Sequence, residues 1–344
     1  MNPFVTQFVI ERAALGDPLT ARLRGRLPGA GITIVDDPRR LPWQEAAEEG
    51  ALFLMRHRGA FVKDFPMTPG SPPCGEKYIV TMINCPHDCS YCYLQSYLGH
   101  GRLVIFTDLE RMKKEVAASI SSESPKRITT GEMSDSLALD ELTGTTLELL
   151  PLFEGTGTFL DVRTKSARID HIISAVEAGL PASSLVMTWT LGPPDMIERE
   201  ERGTAPLPDR LEAMARALGA GIRVGVRFDP VVPLYADMDA YASLIGRIAR
   251  SADGRRIDRF EIGILRFPPG LIEKVRARHP RSGLLEGEYL RDSEGKLRLY
   301  RPARVEIYRG LARLVREAFP GARIELSMED REVWEDAGIA LPAR

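Results

Sequence analysis

Between residues 78 and 278 the chain alternates short apolar runs with longer amphipathic ones, and nothing else in its 344 residues limits the fold as much. The apolar runs 78–83, 103–106, 127–130, 158–162, 185–190, 222–228 and 259–265 are expected strands. The segments 109–121, 136–152, 169–178, 208–218, 238–251 and 271–278 carry apolar residues three and four apart and are expected helices. Two of these helices close on Ala178-Gly179 and Leu218-Gly219, where glycine suits a left-handed C-cap. Apolar strands alternating with helices predict a parallel sheet covered by helices. Right-handed crossovers then wind it into a full or partial barrel. The expected class is α/β, a partial (β/α)6-type TIM barrel over residues 74–280. An N-terminal α/β extension and linker (1–73) precedes it, with strands at 5–9 and 32–35, a helix at 19–27 and a proline-rich loop at 64–73. The C-terminal addition (281–344) is expected to pack on the barrel as a hairpin around 291–301, a helix at 302–319, a strand at 323–327 and an acidic tail helix.

Composition narrows the class of function. Forty-six Lys and Arg against 48 Asp and Glu give a formal charge of −2, which lacks the general excess of positive charge of a nucleic-acid coat or polybasic membrane binder. No uncharged apolar run approaches ~18 residues, so no membrane span is expected. The opening Met1-Asn2-Pro3-Phe4 does not resemble a secretory signal, and a cytoplasmic location is expected. One local exception stands out: residues 274–309 hold ten Lys or Arg against five acids, with Tyr289, Tyr300 and Tyr308 interleaved. That stretch reads as a nucleic-acid contact through Arg298, Tyr300 and Arg301, or as a solvated helix face and loop.

All four cysteines, Cys74, Cys85, Cys89 and Cys92, lie within nineteen consecutive positions. Clustered thiols in an intracellular chain bind metal or do redox work more often than they form disulfides. Cys85, Cys89 and Cys92 are spaced C-x3-C-x2-C directly after the first expected barrel strand. Three thiolates on one tight loop can hold three corners of an iron–sulfur cubane and leave the fourth iron open, since such clusters normally take four. A zinc site completed by His87 or His100, and hence a non-catalytic zinc-binding module, is the other reading.

With Tyr91 before its last cysteine, this motif resembles the radical S-adenosylmethionine superfamily. The run Tyr91-Cys92-Tyr93-Leu94-Gln95, with Leu98-Gly99 after it, resembles the cluster loop of the spore photoproduct lyase branch. Similar segments include Asn2-Pro3-Phe4-Val5, Thr164-Lys165, Ile169-Asp170-His171, 219–233, Phe260-Glu261, Arg266-Phe267 and Phe319-Pro320-Gly321-Ala322. The resemblance implies a [4Fe-4S] cluster on Cys85, Cys89 and Cys92 whose open iron is chelated by S-adenosyl-L-methionine. It also implies a 5′-deoxyadenosyl radical, a flavodoxin- or ferredoxin-type electron donor, and DNA as a partner.

The same resemblance places cofactor contacts at Tyr91, Gly131, Glu132, Ser134, Lys165, Thr188 and Thr190. Bland alternatives accompany them: 131–135 as a loop and N-cap, Lys165 as a solvated strand end, Thr188 and Thr190 as a β-branched core strand. Arg227 and Asp229 either face the pocket or pair with each other. Tyr93 reads as a radical relay or a packing residue, and Cys74 as a hydrogen-atom donor or an inert loop thiol. One position departs from the lyase pattern. Where that family carries a hydrogen-donating cysteine, two residues before Ser134-Asp135, this chain has Glu132, whose carboxyl O–H bond is too strong for the task. Cys74 or Tyr93 then supplies the hydrogen atom, or the enzyme works on a small molecule or peptide instead of a DNA photoproduct.

Overall fold

The computed structural model describes residues 5–41 and 50–342; Asn2, Pro3 and Phe4 of the family-like opening lie outside them. Six parallel strands follow one another across one sheet in chain order: β1 (Glu76–Ile79), β2 (Arg127–Thr129), β3 (Phe159–Thr164), β4 (Leu185–Thr190), β5 (Arg223–Val231) and β6 (Arg259–Ile264). A seventh, β7 (Ile324–Leu326), pairs in parallel with β6, and Val62–Asp64 lies antiparallel on the free edge of β1. The result is the curled partial barrel that the strand–helix alternation predicts.

Each barrel strand has one apolar and one polar face. Ile128, Leu160, Val162, Met187, Val224, Val226, Phe228, Phe260 and Ile262 point outward into the main core beneath the helices. The helices are α1 (Leu109–Glu123), α2 (Asp170–Glu177), α3 (Pro194–Glu200), α4 (Leu207–Gly219), α5 (Met238–Ala252), α6 (Leu271–Arg278) and α7 (Arg301–Ala318). The period of two then sends Glu76, Arg127, Asp161, Arg163, Thr188, Arg227, Arg259, Glu261 and Glu325 inward. The barrel is thus filled by ion pairs where a closed barrel would carry layers of Val, Ile and Leu. Arg259 meets Glu76 at 3.1 Å and Glu325 at 3.1 Å and also bonds Asp161, and Arg127 meets Glu76 at 2.8 Å. Two glycines make room: a Cβ on Gly225 would stand 2.6 Å from Thr188 Oγ1, and one on Gly263 2.6 Å from Asp229 Oδ1.

The structure corrects several expected boundaries. Strand Leu103–Phe106 is not in the barrel. It joins a separate five-stranded sheet beside Ala51–Met55, with Gln7–Glu11 and Gly31–Val35 on one side and Met82–Ile83 on the other. This sheet has its own core of Phe8, Ile10, Leu19, Leu23, Leu52, Leu54, Met82 and Ile105. The sheets therefore cross the expected divisions at both ends, because 82–83 and 103–106 serve the N-terminal layer and 324–326 completes the barrel. The helix expected at 136–152 is broken into Asp140–Thr143 and Thr145–Leu149 at Gly144, which takes the left-handed φ of 66°. The expected C-terminal hairpin is present as Tyr289–Arg291 paired with Leu297–Leu299, and Arg266–Phe267 adds a third strand.

Candidate active site at the strand ends

The loop that follows β1 carries Cys85, Cys89 and Cys92, and two elements hold it in place. Asp88 and Cys89 pair antiparallel with Arg202 and Glu201, so the loop gains a strand partner from the segment after α3. Gln95 Nε2 donates to the carbonyls of Cys89 and Ser90, both at 3.0 Å. Ser90 Oγ bonds Glu200, whose carboxylate also takes Tyr235 Oη at 3.0 Å and Ser282 Oγ at 2.6 Å.

The three thiols share one loop, with Cys89 buried and Cys85 and Cys92 half-buried. Burial pushes Cys85 up to about 12, with Asp135 and Cys92 adding to the effect. Burial likewise raises Cys89 and Cys92, and Cys89 feels both other thiols. Such thiols stay protonated until a cation replaces their protons, which is how a metal group loads. Among the described residues no three Cys, His, Asp or Glu side chains are grouped about a single ion. Three thiols on one loop can each bind a different iron of a cluster, whereas tetrahedral zinc asks for four ligands about one ion.

Around the thiols stand groups that sequence reading anticipated. Lys165 Nζ lies 5.6 Å from the centroid of the Tyr91 ring. Burial opposes the Lys165 charge, but Cys89, Glu201 and Asp135 hold the ammonium above its usual value. Ser134 is buried and its hydroxyl has no hydrogen-bond partner, as is the case for Nε2 of His87. Asp135 fixes the turn between β2 and β3: Oδ1 accepts from Leu137 and Ala138 N at 2.9 Å and from Thr164 Oγ1 at 2.8 Å, and Oδ2 accepts from Lys165 N at 2.6 Å. Gly131 cannot be replaced cheaply, since a Cβ there would stand 2.7 Å from Arg163 Cβ. Glu132 meets Arg163 Nη1 through Oε1 at 3.0 Å, and its backbone carbonyl accepts from Tyr93 Oη. Burial, with Glu261 and Glu76 nearby, keeps the Glu132 carboxyl above its usual range although Arg163 and Arg227 oppose the shift.

Other expected residues are placed differently. Thr188 is fully buried and donates to Asp161 Oδ1 at 2.6 Å, so its hydroxyl serves the ionic interior and not a cofactor. Thr190 is buried one layer above it, and its carbonyl accepts from Arg210 Nη1 at 2.9 Å. Arg227 and Asp229 pair with each other at 2.6 Å, and Arg227 also meets Glu261 at 3.0 Å. Cys74 precedes β1 and lies against Met67 Sδ at 3.5 Å, at the opposite end of that strand from the cluster loop; burial raises its thiol. Arg298, expected on nucleic acid, is buried at 6% exposure and braces the hairpin through Asp292 at 3.0 Å and Glu329 at 3.1 Å. Arg301 is committed to Glu332 and Asp336 of the tail helix, at 2.6 and 2.7 Å. Tyr300 alone of that trio has an open side chain, at 55% exposure.

One structural group escaped sequence reading. Arg210 of α4 is fully buried and donates to Glu201 Oε2 at 2.6 Å, Ala205 O at 2.7 Å, Thr204 Oγ1 at 2.7 Å and Thr190 O. Glu201 in turn accepts from Tyr91 Oη. The run Glu198-Arg199-Glu200-Glu201-Arg202 looks like a solvated helix end, and its charge alternation gives no sign that Glu200 and Glu201 turn inward.

A three-thiol loop seated at the strand ends of a curled parallel sheet is the arrangement of radical S-adenosylmethionine enzymes, and the chain is one of them. A sequence model of spore photoproduct lyase matches residues 65–331, so the chain belongs to the spore photoproduct lyase family. The spore photoproduct lyase of Geobacillus sp. (strain Y412MC61) is 26% identical over 298 residues, covering 83% of this chain and 85% of the relative. That of Bacillus subtilis (strain 168) is 26% identical over 302 residues, covering 82% and 85%. The solved structure of spore photoproduct lyase complexed with dinucleoside spore photoproduct superposes with a TM-score of 0.81 at 22% identity, covering 95% of this chain and all of that one. A variant of that enzyme with bound AdoMet and dinucleoside spore photoproduct gives 0.78 at 22%, covering 94% and 99%. No helix among the described residues is long and apolar enough to cross a membrane.

Proposed function

We propose that this chain is a lyase-type radical enzyme acting on a photoproduct in DNA, with Tyr93 in place of a thiol as the hydrogen-atom donor. The grouping of three thiols on one loop with Lys165, Glu132 and Ser134 around it carries the reading. Cys85, Cys89 and Cys92 would hold a [4Fe-4S] cluster. Lys165 offers an ammonium to the carboxylate of S-adenosylmethionine, Glu132 keeps its second oxygen for the amino group, and the unpartnered Ser134 hydroxyl adds a third polar contact. When bound and reduced by one electron, this pair of cofactors supplies a 5′-deoxyadenosyl radical.

The protein's share is positioning and hydrogen supply. The backbone carbonyl of Glu132 fixes the Tyr93 phenol at the strand ends, and the ring is 39% exposed. Its O–H bond breaks as a C–H bond forms on the product radical, and a phenoxyl radical is left on Tyr93. Cys74 is on the wrong side of β1 to compete. The ion pair with Arg163 keeps Glu132 in place without giving it a hydrogen-donor role.

The test is anaerobic reconstitution, chemical reduction and incubation with ultraviolet-irradiated DNA, followed by mass analysis. Formation of 5′-deoxyadenosine together with restored thymine is expected. 5′-Deoxyadenosine with unaltered DNA would move the enzyme to a small-molecule or peptide substrate, the reading favoured by a carboxylate where lyases carry a thiol. Absence of both products would overturn the proposal.

A further inference from the structure

Tyr97 is the most exposed large apolar residue beside the site, at 67%, and a single exposed aromatic needs no explanation by itself. Its neighbours make it notable. The rings of Tyr97 and Tyr93 meet edge to face with centroids 6.1 Å apart. Tyr93 reaches the Glu132 carbonyl, so Tyr97 stands on the solvent side of the proposed hydrogen donor. Tyr78, half-buried on the inner face of β1, lies within electrostatic reach of Tyr93, Tyr97 and Glu132. Three tyrosines thus line one wall of the mouth.

The wall is held firmly. The helical turn Leu94–Tyr97 is tied back by Tyr97 N to Tyr93 O at 3.0 Å, and Gln95 anchors it to the cluster loop. A Cβ on Gly270 would stand 3.9 Å from Ser96 Cβ, so the start of α6 packs beside this turn.

We propose that Tyr97 is a stacking platform for the nucleobase next to the reacting one, an inference that rests on the DNA reading given above. Every base presents a π-face, and a rigid aromatic beside a cationic strand is how single-stranded nucleic acid is held without sequence readout. With the two ring planes inclined at 64° and their centroids 6.1 Å apart, a base on Tyr97 would lie on a different face from one held at Tyr93. The reacting lesion and its flanking base would then be gripped separately.

The test measures binding by fluorescence anisotropy with two probes: an ultraviolet-irradiated oligothymidylate, and a dinucleoside photoproduct with no flanking base. Tyr97→Ala should weaken the oligonucleotide roughly tenfold or more, within the range of one lost base–aromatic stack, and leave the dinucleoside within about twofold. Tyr97→Phe should restore the oligonucleotide affinity, and Tyr97→Leu should not. Thermal melting of each variant checks that the fold is intact, as expected for so exposed a side chain. Equal weakening of both probes, or none of either, would overturn the inference. Wild-type protein that binds neither probe would instead remove the DNA reading on which it rests.

Discussion

Replacing Arg210 by Met should cost the protein much of its stability, and the amount follows from the geometry. The guanidinium makes four hydrogen bonds, two of them to the buried Glu201 and Thr190, and both Arg210 and Glu201 have side chains with no exposed surface. Met fills a similar volume but leaves the Glu201 carboxylate buried with the Tyr91 hydroxyl as its hydrogen bond and the Lys165 ammonium nearby. Breaking a buried pair from one side costs about 3–5 kcal/mol. At roughly 2.1 cal/mol/K per residue, unfolding 344 residues carries an entropy of about 0.7 kcal/mol/K, so Tm should fall by about 4–7 °C. Differential scanning calorimetry on cluster-free protein, kept free of oxygen, measures this directly. The double variant Arg210→Met/Glu201→Leu should regain at least half the loss, because no uncompensated charge remains. The Tyr91 hydroxyl and the strand partner of Cys89 both depend on Glu201, so iron loading should also fall in the single variant. A Tm change below about 1 °C, or a double variant no better than the single, would refute the reasoning.

Cys89→Ala should abolish cluster loading while leaving the apo fold, since a buried thiol is replaced by a smaller apolar group; full iron content by colorimetric assay would refute the ligand assignment. Asp229 has its carboxyl lowered to about 2, because Arg266, Arg227 and a hydrogen bond from Ser327 outweigh the effect of burial. A depressed folded-state value means stability that is present above the unfolded value of about 3.9 and is lost as pH falls toward 2. Asp229→Asn should therefore be less stable than wild type by about 2 kcal/mol above pH ~5, with the gap closing between pH ~4 and ~2; a pH-independent gap in denaturant melts would contradict this. Arg298→Met should lower thermal stability and leave the salt dependence of DNA binding unchanged, because the guanidinium is spent on Asp292, Glu329 and the Met328 carbonyl. A shallower salt slope with an unaltered Tm would return it to the nucleic-acid surface.

The barrel was readable because its outward faces are apolar at a period that matches strands separated by helices. The inward face was not. In Arg259-Phe260-Glu261-Ile262 the charges alternate with core residues, yet the parallel-sheet expectation favours continuous apolar runs and hides the alternation. The strand at 103–106 was recognised as a strand but not as a member of the other sheet, because periodicity carries no information about pairing partners. Its true neighbour, Ala51–Met55, is buried at all five positions and was overlooked although Ala-Leu-Phe-Leu-Met is a plain apolar run. At the site, the cysteine spacing was enough to find the cluster loop. Arg298 and Thr188 each have an internal partner, Glu329 and Asp161, which residue type and position do not reveal. Glu200, Glu201 and Arg210 were missed for the same reason: their partners are distant in sequence or belong to the backbone.

The order of the sheet also bears on how the chain can be assembled. Strands β1 to β6 are added one after another as synthesis proceeds, but β6 finds its outer neighbour only in Ile324–Leu326, about sixty residues further along the chain. Until those emerge from the ribosome, Phe260 to Ile262 offer an open row of amides and carbonyls to any passing strand. A message truncated before that strand should for that reason yield aggregates rather than a smaller working enzyme, and chaperone demand should persist until the strand is made.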